Sequence, residues 1–249
     1  MPGSALTRAA TVALLAACVL LGGLVGAASA RRTAIGHSVK GRPIVALERG
    51  DDATAALRVL VVGCIHGDET AGMRIARKLS AGRVPADAAF WIVPTLNPDG
   101  VAAGTRGNAR GVDLNRNFPF AWRPLGGGEY SGPHALSEPE SRAAEGLIER
   151  LRPDLTIWFH QPFDLVDRSG GDPGVERRFA QLSGLPLVRL RRYPGSATSW
   201  ENHAFPGSTA FVAELPASVG DALVGRAAAA VRALAAELVS PGVGDAAPG

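Results

Sequence analysis

The sequence predicts an α/β domain with a mixed, largely parallel central sheet that is covered by helices on both faces. Two observations support this fold class. Short apolar runs of strand length alternate with segments whose apolar residues recur at helical spacing. Several runs, such as LRVLVVGCI at 57–65, are apolar without polar alternation, which is typical of parallel strands buried on both faces. Strands and helices that alternate in this way form a layered domain.

The predicted strands are short apolar runs separated by helical or turn-rich segments. They lie at 42–50, 57–65, 88–96, 155–160, 185–190 and 209–215. The first of them is expected to be an early strand of the domain. The runs at 57–65 and 88–96 are expected to be buried strands, and the remaining three are further strands.

The predicted helices lie at 70–79, from 137 to about 151, at 175–182 and after 219. In the first, residues such as Ile75 and Leu79 recur on one face. At the second, Ser137 and Glu140 have the spacing of a capping box, and Pro139 occupies the first turn. These signals place helix starts between the strands, as the fold class requires.

The composition describes a folded globular protein and excludes several function classes. The chain has 249 residues, of which 46% are hydrophobic and 20% charged, so it can bury a full core. A net charge of +3 is too small to indicate a nucleic-acid partner. Cys64 lies inside an apolar strand and is expected to be a buried, inert thiol.

The first thirty residues resemble an export signal. Arg8 precedes an apolar run at 12–25, and Ala28-Ser29-Ala30 has the small-residue pattern of a cleavage site. We therefore expect a signal peptide at 1–30, one domain at 31–240 and a disordered tail at 241–249. A membrane anchor and a lipoprotein modified at Cys18 are the alternatives. The apolar run is short for a membrane span and contains glycines, which favours export with cleavage and no stable membrane insertion.

A polar segment at 97–136 interrupts the alternation of strands and helices. Roughly forty residues rich in Gly, Asn, Asp and Arg separate a predicted strand from the next helix. A loop of this length in a compact domain is usually functional or disordered. Its ordered turn signals, such as Asn97-Pro98-Asp99-Gly100, favour a functional loop.

Four polar side chains follow or end predicted strands. His66 and Glu69 come after the strand at 57–65, His160 ends the strand at 155–160, and Glu214 follows TAFVA near the end of the strand at 209–215. Ligand sites in α/β sheets collect at the carboxyl ends of strands. Two histidines and one carboxylate with an open position form a common catalytic zinc site, which leaves the fourth group free to act as a base.

Seven motifs occur in an order that identifies a family. They are IGHSVKGRPI, HGDE, NPDG, GVDLNRNFP, SGPHALSEPE, WFHQP and AELP, and they extend from Ile35 to Pro216. In these motifs the sequence resembles the zinc metallocarboxypeptidases, a family that includes the pancreatic carboxypeptidases and bacterial peptidoglycan-peptide amidases. The resemblance implies a zinc carboxypeptidase-like catalytic domain that binds one Zn²⁺ ion.

The resemblance also implies roles for individual residues. The implied zinc ligands are His66, Glu69 and His160. Glu214 in AELP matches the general base, and Arg106 matches the arginine that polarises the scissile carbonyl, with Arg110 as its nearest alternative. Asp113 matches a carboxylate that orients the first histidine.

Three further residues match the family's substrate-binding groups. Asn115 and Arg116 match the pair that holds the terminal carboxylate of the substrate, and Tyr193 matches a mobile tyrosine. The loop PGSATSWENH at 194–203 is expected to line the pocket for the terminal residue. Within it, Glu201 could meet an amino group of the substrate, or it could simply face water. The neighbouring His203 has no assigned role.

The resemblance implies an exopeptidase whose partner is a peptide with a free terminal carboxylate. Together with the expected leader, we expect a secreted, monomeric enzyme. Asp68 stands where the pancreatic branch has a basic residue, and the domain is compact, so the bacterial branch that cuts γ-D-glutamyl-diaminopimelate bonds fits better. A general carboxypeptidase is the main alternative. An N-acyl amino acid deacylase fits the motifs less well. A binding protein without turnover would be expected to lack a ligand or the base, and all four residues are present.

Overall fold

The computed structural model describes residues 30–240. The expected signal peptide at 1–30, apart from its last residue, and the expected tail at 241–249 lie outside the described residues. No helix within the described range is both long enough and apolar enough to cross a membrane.

Eight strands form one mixed sheet in the order β1-β2-β4-β3-β5-β8-β6-β7. The strands are β1 (Arg31–His37), β2 (Pro43–Arg49), β3 (Leu57–Val62), β4 (Ala88–Val93), β5 (Leu155–His160), β6 (Phe163–Asp167), β7 (Leu187–Val188) and β8 (Thr209–Pro216). The four central strands, from β4 to β8 in the sheet order, run parallel. Antiparallel pairs join β1 to β2, β2 to β4 and β6 to β8, whereas β6 and β7 are parallel. The predicted mixed, largely parallel sheet is confirmed.

Helices cover both faces of the sheet. They are α1 (Ala71–Ala81), α2 (Pro98–Ala103), α3 (Pro139–Leu151), α4 (Pro173–Ser183), α5 (Ala197–Ala204) and α6 (Asp221–Val239). Buried residues of α1, α4 and α6 share one apolar cluster with the sheet, and those of α3 and α5 share another. The expected two-sided cover is therefore confirmed.

The central strands contribute to both apolar clusters, which explains their lack of polar alternation. In β5, Ile157 and Phe159 face the cluster with α1 and α6, while Trp158 between them faces the cluster with α3 and α5. Side chains alternate across a strand, so a strand covered on both sides needs apolar residues at every position. Burying each large side chain stabilises the fold by roughly 1.5–3 kcal/mol.

Cys64 is also part of this buried interior. Its side chain is 0% exposed, and burial raises the pKa of its thiol to about 12. A thiol that stays protonated at neutral pH is a poor nucleophile. The expectation that this cysteine is buried is confirmed.

The start of α3 differs from the prediction. The residue that caps this helix is Glu138, and its side chain makes no capping hydrogen bond. Glu140 instead accepts a hydrogen bond of 2.9 Å from the backbone amide of Val39, while the Ser137 hydroxyl donates to Glu138 at 2.8 Å. The predicted capping box is therefore wrong, because its glutamate ties a distant loop to the helix.

Glu201 lies on α5 with its side chain pointing into the core. It is 0% exposed and accepts hydrogen bonds from the hydroxyl of Thr156 and from Trp158 Nε1 at 3.4 Å. The suggestion that Glu201 meets a substrate amino group or faces water is wrong, since the side chain turns toward the sheet. His203, on the same helix, stacks on Phe120 with the ring centroids 4.1 Å apart.

The burial of Glu201 predicts a dependence of stability on pH. Burial raises the pKa of Glu201 to about 7, above its ordinary value of 4.5. Between these two pH values the folded chain binds a proton that the unfolded chain does not, so stability present below pH 4.5 is lost as pH rises to 7. We expect the free energy of unfolding of Glu201→Gln, relative to that of the native protein, to be roughly 2 kcal/mol higher at pH 8 than at pH 5. Urea unfolding of both proteins at the lower and the higher of these last two pH values measures this difference. If the free energies of unfolding of the two proteins change equally with pH, the prediction is contradicted.

Candidate active site

The candidate site lies where three neighbouring parallel strands end. The adjacent order β3-β5-β8 brings the segment after β3, which contains His66, beside His160 at the end of β5. His160 is in register with Glu214 of β8. The carboxyl ends of parallel strands meet at one edge of a sheet, which is why residues far apart in sequence become neighbours here.

A tight turn after β3 places His66 and Glu69 on the same side. The backbone amide of Glu69 donates to the carbonyl of His66 at 3.0 Å, and the two side chains meet with His66 Nδ1 2.9 Å from Glu69 Oε1. Gly67 lets this turn pack against α2, because a β-carbon there would lie 2.0 Å from the carbonyl carbon of Gly100. Only glycine fits that approach.

Three potential metal ligands converge at this point. His160 Nδ1 lies 2.9 Å from Glu69 Oε2 and 3.2 Å from His66 Nδ1. In a tetrahedral zinc site with bonds of roughly 2.0–2.2 Å, the ligand atoms lie about 3.3 Å apart. Two imidazole nitrogens and a carboxylate at these separations fit a single divalent ion in both spacing and donor chemistry.

Asp113 holds the His66 ring from the other side. His66 Nε2 lies 3.0 Å from Asp113 Oδ1, so a proton on Nε2 leaves the Nδ1 lone pair directed at the cluster. Burial opposes charge on His66, but hydrogen bonds to Asp113 and Glu69 outweigh it and raise the pKa of the imidazole. His66 and Arg106 in turn overcome burial and lower the pKa of Asp113 well below its usual range.

Arg106 lies beside the cluster. Its guanidinium donates to Glu69 Oε1 from Nη1 at 3.1 Å and to Asp113 Oδ2 from Nε at 3.0 Å. Arg110, the alternative candidate, points away and donates to Glu138 at 3.3 Å. Of the two arginines, Arg106 is the one that can reach a group bound at the cluster.

Glu214 of β8 lies beside the same cluster, since it is in register with His160 and its carboxyl is influenced by the charge of Glu69. The side chain is buried, and within residues 30–240 its Oε2 has no hydrogen-bond partner. Burial, followed by the charge of Glu69, raises the pKa of Glu214 to about 7. A buried polar atom without a partner is uncommon in folded proteins, and a carboxylate with a pKa near neutrality is suited to accepting and returning a proton.

A cavity of about 600 Å³ opens above the cluster and contains the remaining predicted residues. Asn115, Arg116 and Tyr193 line it. Arg116 is 5% exposed, its guanidinium carbon lies 4.1 Å from the centroid of the Tyr193 ring, and Nη2 lies 3.2 Å from Glu129. A guanidinium buried at the wall of a cavity is well placed to bind an anionic group.

Several residues of this cavity were not predicted. Gln161 donates its backbone amide to Glu69 Oε2 at 3.2 Å and so helps to fix that carboxylate. Asp167 and Arg192 lie on the cavity wall and form an ion pair of 2.8 Å. Strand β6, which ends at Asp167, was not predicted, because its first two residues, Phe163 and Asp164, are exposed.

The contact between Asp113 and His66 predicts a change in metal affinity. Asp113→Asn keeps the shape of the side chain but removes the charge that holds the imidazole, and such partners typically contribute 10- to 100-fold in metal affinity. We expect zinc to bind this variant about 10- to 100-fold more weakly in competition with a fluorescent chelator. Asp52→Asn, the same change at a half-exposed position, serves as the control. Equal affinity of both variants would contradict the prediction.

Comparison with known proteins places these residues in a family context. The family model described as zinc carboxypeptidase matches residues 28–166. Murein peptide amidase A of Escherichia coli (strain K12) is 33% identical over 186 residues, which cover 66% of this chain and 74% of the amidase. The enzyme of the same name from Vibrio campbellii is 33% identical over 193 residues, which cover 68% of this chain and 74% of that protein.

Solved structures agree with this comparison. The murein-tripeptide amidase of Escherichia coli O157 superposes with a TM-score of 0.68 at 26% identity, covering 82% of this chain and 91% of the amidase. Carboxypeptidase A from Helicoverpa armigera superposes with a TM-score of 0.68 at 19% identity, covering 85% of this chain and 69% of that enzyme. The second likeness concerns the fold alone.

Proposed function

Because the chain belongs to the zinc carboxypeptidase family of hydrolases, we propose that it is a zinc-dependent exopeptidase that hydrolyses the amide bond before a C-terminal residue. Its proposed substrates are peptidoglycan peptides, cut at the γ-D-glutamyl-diaminopimelate bond. One observation carries this proposal. Two imidazole nitrogens and the Glu69 carboxylate converge at 2.9–3.2 Å beside Glu214, whose Oε2 has no hydrogen-bond partner within residues 30–240.

The proposed metal ligands are His66, Glu69 and His160. A zinc ion bound there supplies a Lewis acid that polarises a carbonyl and makes a water molecule more acidic. Glu214, with a pKa raised toward neutrality, takes a proton from the attacking water and later returns it to the leaving amine. Arg106, whose guanidinium lies beside Glu69, stabilises the negative charge that develops on the carbonyl oxygen.

The proposed restriction to chain ends comes from Arg116 and Asn115. Arg116 can bind a terminal carboxylate with two parallel hydrogen bonds, which a lysine does poorly. The Asn115 side chain is held by the amide of Ala197, which donates to its oxygen at 2.9 Å, so its NH₂ group stays available for substrate. Tyr193, 37% exposed and in contact with Arg116, closes this end of the cavity over the bound residue.

The proposal of a peptidoglycan substrate rests on the relatives. Two murein peptide amidases are each 33% identical to this chain, and a murein-tripeptide amidase shares its fold at 26% identity. The leader at 1–30 fits the same proposal, because export would bring the enzyme to the cell envelope. A general carboxypeptidase is the second candidate, since carboxypeptidase N of Rattus norvegicus is 34% identical over 189 residues, which cover 58% of this chain and 40% of that protein.

Two substrates separate the candidate functions. We expect the purified, zinc-loaded protein to release diaminopimelate from the tripeptide L-Ala-γ-D-Glu-meso-diaminopimelate, with release followed by mass spectrometry. A blocked α-peptide with a free C-terminal residue should be cut slowly or not at all. Dialysis against a chelator should abolish the activity, and added zinc should restore it.

Each outcome of this experiment distinguishes between the candidate functions or tests the zinc mechanism. Release from the blocked peptide at an equal or higher rate would favour the general carboxypeptidase. Turnover that survives complete removal of the metal would reject the zinc mechanism. No turnover of any peptide by the zinc-loaded protein would reject the exopeptidase itself.

A further inference from the structure

The cavity is also lined by an ion pair, Asp167 with Arg192, that the proposed mechanism does not use. Asp167 ends β6, and Arg192 lies next to Tyr193 in the loop before α5. Both line the catalytic cavity, and Arg192 Nη1 lies 2.8 Å from Asp167 Oδ2. Arg192 directly precedes Tyr193, whose ring contacts Arg116, so the pair lines the cavity next to the proposed site of the terminal carboxylate.

Asp167 is firmly positioned. Its side chain is 7% exposed, and it accepts hydrogen bonds from the backbone amide of Leu190 at 2.8 Å and from the Ser169 hydroxyl at 2.9 Å. Together with Arg192, three donors bond the Asp167 carboxylate, which can accept roughly four hydrogen bonds. One site remains for a donor that enters the cavity.

Arg192 is fixed at one end and open at the other. Its side chain is 34% exposed. Within residues 30–240 its guanidinium makes a single hydrogen bond, which goes to Asp167. The remaining N–H groups are free to donate. A guanidinium held in place by a carboxylate is suited to bind a second carboxylate with defined geometry.

We propose that the Asp167–Arg192 pair selects a C-terminal residue whose side chain ends in both an ammonium and a carboxylate group. This inference rests on the proposed function and names the residues that give it its specificity. Arg116 would bind the α-carboxylate, Arg192 the distal carboxylate and Asp167 the distal ammonium. Diaminopimelate carries these three charged groups in its terminal position.

The two opposite charges of the pair disfavour two simpler kinds of terminal residue. A terminal lysine or arginine would gain from Asp167 but would bring its positive charge close to Arg192, which costs binding energy unless an anion is also present. A terminal acidic residue would gain from Arg192 but would meet the negative charge of Asp167. Only a side chain that carries both charges satisfies both members of the pair.

Three tripeptides that differ at one group test the assignment. They begin with L-Ala-γ-D-Glu and end in meso-diaminopimelate, in lysine, which lacks the distal carboxylate, or in α-aminopimelate, which lacks the distal ammonium. The zinc-loaded native enzyme should cut the first with a kcat/KM at least 10-fold above the other two. Arg192→Gln should lower kcat/KM for diaminopimelate about 10- to 100-fold and for lysine less than about 3-fold.

A matched variant and a binding measurement exclude indirect effects. Arg189→Gln removes the same charge from an exposed position of the same loop and should leave all three values unchanged. In the zinc-loaded Glu214→Gln protein, calorimetric titration should show that adding Arg192→Gln weakens binding of the diaminopimelate tripeptide at least 10-fold. The lysine tripeptide should bind both proteins with similar affinity.

The two proposals can fail separately. If the native enzyme cuts none of the three tripeptides, the proposed function is wrong. If it cuts them but Arg192→Gln lowers all three values equally, or none of them, the pair is a structural contact and the inference is overturned.

Discussion

Replacing Glu214 with glutamine is expected to lower kcat on the diaminopimelate tripeptide by about 10²- to 10⁴-fold, the range that a positioned general base contributes. Glutamine keeps the size of the side chain and its place in β8, but it cannot accept the proton of the attacking water. The free oxygen of Glu214 and its raised pKa are the structural basis for this expectation. Single-turnover measurements with mass spectrometry give the rate.

A loss of activity implicates the base only if the metal stays bound. The Glu214→Gln variant should therefore contain the same amount of zinc as the native protein, measured by plasma mass spectrometry. Glu149→Gln, the same change at an exposed position of α3, should leave kcat unchanged. A zinc-loaded Glu214→Gln protein with more than about a tenth of native activity would exclude this residue as the base.

Arg116→Met is expected to lower kcat/KM by about 100-fold or more, because removing one partner of a buried charge pair typically costs 2–5 kcal/mol. Methionine approximates the stem of arginine but offers no donor to the terminal carboxylate. The burial of Arg116 in the cavity wall supports a strong contact with substrate. Steady-state kinetics on the diaminopimelate tripeptide measure the effect.

Amidation of the substrate separates recognition from general damage. A tripeptide whose α-carboxylate is an amide should be a poor substrate for the native enzyme and an equally poor one for Arg116→Met, since the contact is absent in both. Arg150→Met, at an exposed position of α3, controls for the loss of a positive charge. If Arg116→Met lowers kcat/KM equally for the acid and the amide, Arg116 does not recognise the carboxylate.

The central sheet could be predicted from the sequence because each buried strand carries its own signal. Strands covered on both faces are apolar at successive positions, as in β5. The edge strand β1 has no such run, since most of its side chains are exposed or half-buried. Strand β7 has only two residues, far shorter than the apolar segment at 185–190. At the edges, pairing is decided by neighbours that are distant in sequence.

The metal cluster could be predicted because its ligands lie at strand ends and in family motifs. The position of Glu201 could not, since a polar residue on a short helix may face either the cavity or the core. Its two partners, Thr156 and Trp158, lie on β5, which is distant in the sequence. The Asp167–Arg192 pair depends on β6 and on a loop far along the chain, so no local pattern indicates it.

The proposed mechanism requires one zinc ion bound by three side chains. A crystal of the zinc-loaded protein, measured on both sides of the zinc absorption edge, tests this directly. We expect a single anomalous peak within bonding distance of Nδ1 of His66, Nδ1 of His160 and the Glu69 carboxylate, with Glu214 nearby but not coordinating. A peak elsewhere, or an active protein without a peak at this position, would contradict the proposed metal centre.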